Sequence, residues 1–113
     1  MFETSIWTNG KPNTSTGSGY GINIPLKIRK SIFQKSWNSM KLDLDGSIVD
    51  IPLTSAFWNK CNEVRSPEIG KWLIKHNANS WIRGKPTKVE MIQVQGNQFK
   101  VSIKSKMNYE NDK

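Results

Sequence analysis

Apolar positions along the chain fall into two alternating hairpins and one helical stripe, separated by polar, glycine-rich stretches. Met40, Leu42 and Leu44 alternate with Lys41 and Asp43, the period of two of a strand with one buried face. Asp45-Gly46 follows as a two-residue turn, and Val49, Ile51 and Leu53 alternate on the return strand. A second hairpin is predicted near the end. Residues 89–94 lead to a turn at Gly96-Asn97, and Phe99, Val101 and Ile103 alternate with Lys100, Ser102 and Lys104. Between the hairpins, Ile69, Trp72, Leu73 and His76 keep the i, i+3, i+4, i+7 spacing of one helical face. Ser66 is a good N-cap for that helix, Pro67 a good first residue, and Glu68 complements the positive end of its dipole. Gly70 weakens it by about 1 kcal/mol relative to alanine. Asn77 can close it, and His76 reads as half-buried packing.

The first third is less regular. Phe2, Ile6 and Trp7 suit a first strand, residues 11–19 a loop, and residues 21–25 a short strand. Pro25 suits the first position of a short helix over residues 26–33, with Ile28 and Ile32 on one face. Six or seven short strands and two short helices predict a small, mostly antiparallel barrel. Residues 1–104 form one domain, and the polar, aperiodic residues 105–113 read as a flexible tail or linker.

Charge changes the picture most. Seventeen Lys and Arg against nine acids give +8, a balance that attracts polyanions such as DNA, RNA or an anionic surface. No apolar run reaches the roughly 18–20 residues of a membrane span. The first ten residues lack the pattern of a secretory signal. Cys61 is the sole cysteine, as expected in a reducing, cytoplasmic compartment.

Candidate chemistry is sparse. Gly17, Gly19 and Gly21 form a glycine-rich loop, but it runs into a branched, strand-like INIP instead of a helix, and no Gly-Lys-Ser/Thr follows. A phosphate cradle for a nucleotide cofactor needs one or the other, so no cofactor is expected. His76 has no second histidine beside it, and Cys61 has no CxxC partner, so neither a zinc site nor a thiol dyad is supported. Asp43 and Asp45 lack the later glutamate of a calcium loop. No metal site is expected, and the chain reads as a binding module, not an enzyme.

Two polar segments suit nucleic-acid readout from a rigid scaffold. The first supplies Lys11, Asn13, Thr14, Ser15, Thr16, Ser18, Tyr20 and Asn23, with Lys27 just beyond it. Its hydroxyls, amides and free backbone N–H groups suit phosphates and base edges. The second supplies Trp58, Asn59, Lys60, Asn62, Glu63, Arg65 and Ser66. Arg and Lys bridge guanine, Asn bridges adenine, Glu accepts from cytosine, and a tryptophan can stack. These residues are the candidate DNA-binding set.

The order of the pieces carries a resemblance. INIPLKIRKSIF leads into a hairpin around a DG turn, followed by a variable segment, GKWLIKHN, WIRGKPTKVEMI and NQFKVSI. This resembles the B-three DNA-binding pseudobarrel of plant auxin-response factors and of target-recognition domains in bacterial restriction endonucleases of the EcoRII and BfiI kind. Ser15-Thr16-Gly17-Ser18-Gly19-Tyr20 is similar to the family's first arm, and Ile24-Pro25 to its early IP pair. Gly84-Lys85 stands where the family has Gly-Asp, and one extra residue separates Gly70 from Trp72. The resemblance implies a mostly β, seven-stranded open pseudobarrel with two short α-helices. It also implies two arms, over residues 11–23 and 58–66, that grip the major groove of double-stranded DNA. The arm at 58–66 is unlike the plant arms, so the restriction branch is favoured: a bacterial, nucleoid-associated, monomeric recognition domain with a nuclease or motor domain as its companion. INIPLKIRK followed by DGSIVDIP also resembles the AbrB/MazE swapped-hairpin regulators, which would make the chain a dimer.

Overall fold

The computed structural model describes residues 1–104; the expected tail at 105–113 lies outside the described residues. Seven strands and three short helices follow the order β1 (Phe2–Thr8), β2 (Tyr20–Asn23), α1 (Leu26–Ser31), β3 (Ser39–Leu44), β4 (Ser47–Pro52), α2 (Ser55–Asn59), β5 (Glu63–Arg65), α3 (Pro67–Lys75), β6 (Lys88–Gln95) and β7 (Gln98–Ile103). The strands form one sheet in the order β4-β3-β7-β6-β1-β2-β5. It curls almost shut, barrel-like, leaving one unsealed seam between the edge strands β4 and β5.

Both hairpins form as the alternation requires. Asp45 and Gly46 turn β3 into β4 with φ of 56° and 95°, the left-handed pair that matches strand twist. Met40, Leu42, Leu44 and Ile51 point inward and are buried. The pairing of β3 with β7 is parallel, one exception in an otherwise antiparallel sheet.

The core is aromatic at one end and helical at the other. Phe33 stacks on Phe99 at 5.3 Å and packs against Phe57 at 5.6 Å and Trp37 at 5.5 Å. Ile69, Trp72 and Leu73 of α3 are buried on the single stripe that their spacing predicts. Burying each such side chain contributes roughly 1.5–3 kcal/mol. Ser66 caps α3 by accepting from the Glu68 amide at 3.2 Å, and Asn77 closes it in a left-handed conformation at φ 55°.

Two local expectations need correction. α2 and β5 form where a loop is expected, and α2 makes a third helix. Thr54 caps α2, its hydroxyl accepting from the Phe57 amide, and Phe57 drives the turn into the core. His76 is exposed, not half-buried: its Nε2 lies 2.7 Å from Asp45 Oδ2, joining the end of α3 to the β3–β4 turn. That bond holds the Asp45 carboxyl below its ordinary range.

Candidate nucleic-acid interface

Strands β1, β2 and β5 present a platform on their outer face. Ile6, Ile22 and Val64 point into the core, so the intervening residues face outward. Trp7, Gly21 and Arg65 make one row across the three strands, and Ser5, Asn23 and Glu63 the next. Gly21 leaves a gap in its row. A Cβ there would lie 2.5 Å from the Val64 carbonyl oxygen, 3.1 Å from Arg65 Cγ and 3.2 Å from Trp7 Cε3. Across that gap the Arg65 guanidinium sits 4.9 Å from the centre of the Trp7 ring. Such a contact contributes about 0.5–1 kcal/mol at an exposed site. Glu63 Oε2 lies 3.8 Å from Arg65 Nη2. The Glu63 side chain is 10% exposed and that of Arg65 55%, so Arg65 is braced from below and open above.

The row opens into a cleft of about 260 Å³ lined by Trp7, Asn9, Ser18, Gly19, Tyr20, Arg65, Ser66 and Pro67. Loop 9–19 forms one wall and bonds largely to itself. Asn13 Oδ1 accepts from the amides of Ser15 at 2.8 Å and Thr16 at 2.9 Å. Thr16 Oγ1 accepts from the Ser18 amide at 3.2 Å. Backbone bonds join Asn13 to Ser18, Gly17 to Asn13 and Asn9 to Gly19. The expected free N–H groups of a flexible arm are therefore mostly paired within the loop. Thr14, Ser15 and Lys11 remain exposed at its surface.

The glycines of this loop approach the protein itself. Gly17, at φ 82°, is buried against α3; a Cβ on it would lie 2.2 Å from the Pro67 carbonyl oxygen. On the facing turn, a Cβ on Gly70 would lie 2.1 Å from the Gly17 carbonyl oxygen. The two backbones touch, which explains a glycine inside a helix. Tyr20 borders the same cleft but is 1% exposed: its ring is core, and its hydroxyl accepts from Asn79 Nδ2 at 3.4 Å.

The second expected segment divides. β5 runs antiparallel to β2, so Arg65 and Ser66 lie beside loop 9–19 while residues 58–62 lie at the far end of β2. There Asn62 is tied to Ile24 by two hydrogen bonds, one from the Ile24 amide at 2.8 Å and one from its own side chain to the Ile24 carbonyl. Both are structural. Trp58 is half-buried with its ring edge-to-face with Phe57 at 5.1 Å. Asn59 and Lys60 are exposed at the end of α2, and Lys27 is exposed on α1. Ser66 uses its hydroxyl as the cap of α3. Asn23 lines a second, polar cleft of about 190 Å³ with Glu3, Ser5, Asn62 and Lys88, and its buried Oδ1 makes no hydrogen bond.

Trp7, absent from the candidate residues expected from sequence, lines the cleft beside Arg65. The clue was present: Glu3, Ser5 and Trp7 share the outward phase of β1, where an indole is out of place. Among the described residues, ion pairs engage Lys41, Arg65, Lys71, Lys75, Lys88 and Lys104, whereas Lys11, Lys27, Arg29, Lys30, Lys35, Lys60, Arg83, Lys85 and Lys100 enter none of them. Compared with known protein families, curated proteins and solved structures, the chain matches none of them.

Proposed function

We propose that this domain binds double-stranded DNA sequence-specifically, as the target-recognition module of a restriction system. The Trp7–Gly21–Arg65 row carries the reading. Its guanidinium is pre-oriented by an indole and a carboxylate, points into an open cleft, and sits in a chain of net charge +8. A held guanidinium with a free edge suits the O6 and N7 acceptors of guanine in the major groove. Lys11 and the exposed hydroxyls of loop 9–19 then take phosphates alongside. The resemblance to the B-three pseudobarrel supports the same assignment. The contact differs from the expected two-armed grip, because loop 9–19 and Arg65 act together from one end of β2. The reading includes no catalytic step; cleavage belongs to a nuclease or motor domain joined to this one or bound by it.

The swapped-hairpin reading requires strands interleaved between two chains. Here β3 is paired on both sides within one chain, by β4 and β7, which favours the recognition-module reading.

Selection of bound sequences from a random duplex library tests the proposal. The wild type should enrich a motif, and Arg65→Ala should lose about 1–3 kcal/mol of discrimination at one base pair. Lys11→Ala should weaken all sequences alike. An Arg65→Ala protein that enriches the same motif with equal affinity would refute the assignment of Arg65.

A further inference from the structure

Segment 79–87 joins α3 to β6 and is tied down at both ends. Asn79 donates to the Tyr20 hydroxyl at 3.4 Å, the Thr87 hydroxyl donates to the Ala78 carbonyl at 2.8 Å, and the Ile6 amide donates to the Thr87 carbonyl at 2.9 Å. Between these anchors the Lys85 amide donates to the Ile82 carbonyl at 2.9 Å, and Gly84 adopts φ 84°. That is a tight four-residue turn with its left-handed residue third, where glycine is required. Ser5 pairs with Lys88, and Ile6 bonds to Thr87, so the chain before β6 runs along β1 toward Trp7 and Thr8. The turn therefore stands at the end of the sheet that carries loop 9–19 and Arg65.

Its side chains are poorly suited to water alone. Ile82 is 75% exposed. Arg83 and Lys85 are exposed and enter none of the described ion pairs. Apart from its chain neighbours, no atom lies within 4 Å of where a Cβ on Gly84 would be, so the turn has open space at Gly84. Trp81, partly buried against the core, holds its base. An apolar side chain carried beside two unpaired cations fits a DNA groove, where cations neutralise phosphates and an apolar tip meets sugars or base edges.

We propose that residues 82–85 form a further DNA-contacting element, in which Arg83 and Lys85 take phosphates and Ile82 enters the groove beside them. The proposal rests on the DNA-binding reading above and adds residues outside both segments expected from sequence. The test is a fluorescence-anisotropy titration of the full chain against a labelled random-sequence duplex at several salt concentrations. The wild type is compared with Ile82→Ala, the double variant Arg83→Ala/Lys85→Ala, and Arg65→Ala. The double variant should bind about tenfold or more weakly at low salt, and its slope of log affinity against log salt should fall by about 1.8, two phosphates' worth. Ile82→Ala should weaken binding with the slope unchanged. If the wild type binds and Arg65→Ala alters that binding while all turn variants behave as wild type, the turn is not a contact and the proposal falls alone. If the wild type binds no duplex, both readings fall together.

Discussion

Gly17 and Gly70 show how differently one residue reads from sequence and from structure. In the sequence Gly70 is a defect in a helix, and the loop glycines suggest backbone offered to a ligand. In the structure the two face each other with no room for a Cβ on either. Their partnership spans more than fifty residues, and no local pattern encodes it. Gly70→Ala should therefore destabilise the domain by about 1–3 kcal/mol, although alanine alone would favour the helix by about 1 kcal/mol. Urea unfolding measures this, and a rise in stability would show that loop and helix are not in contact. Gly46→Ala has open space around it, so only its positive φ, and not a clash, is at stake. The same residue-scale logic places the Tyr20 ring in the core and the Trp7 ring on the outer face of β1, beside Arg65.

At the scale of elements, the two hairpins and α3 were legible through their periods, and the short β2 and α1 through the branched run before Pro25, whereas α2 and β5 were not. Two hairpins and α3 declared themselves through alternation, the Asp45-Gly46 turn, the Ser66 cap and the closing Asn77, which the structure places at φ 55°. α2 has five residues and β5 three, too few to display a period, and only Thr54 as a cap hinted at α2. The parallel pairing of β3 with β7 depends on how distant strands meet, which patterning does not specify. Ser66→Ala should cost about 1 kcal/mol by removing the α3 cap, read from the urea midpoint. The junction between α3 and the β3–β4 turn predicts a pH effect. The His76 hydrogen bond holds the Asp45 carboxyl low, so its stabilisation is present above the usual carboxylate range and is lost as pH falls through the lowered value. Asp45→Asn preserves a side chain that tolerates φ 56° but removes this charge. Its urea midpoint should decline less steeply than that of wild type below about pH 4, and an identical decline would show that the contact contributes nothing.

At the scale of the whole molecule, charge was readable from composition, and its deployment was not. The carboxylates of Glu3, Asp45, Asp50, Glu63 and Glu68 pair with Lys104, Lys88, Lys75, Lys41, Arg65 and Lys71, while among the described residues Lys11, Lys27, Arg29, Lys30, Lys35, Lys60, Arg83, Lys85 and Lys100 enter no ion pair. Glu3 is held below the ordinary carboxylate range chiefly by its 2.8 Å contact with Lys104, which ties the first strand to the last. The sequence pattern anticipated a nearly closed, mostly antiparallel sheet, but not that its outer face would set Arg65 over Trp7. On the proposed function, this face and its flanking loops engage duplex DNA. The most direct measurement is the affinity of the wild-type chain for a random-sequence duplex across a series of salt concentrations. Binding is expected at about 50 mM salt, with a linear fall in log affinity with log salt of about 0.9 per phosphate for several phosphates. No binding to any duplex at that salt, or an affinity indifferent to salt, would contradict it.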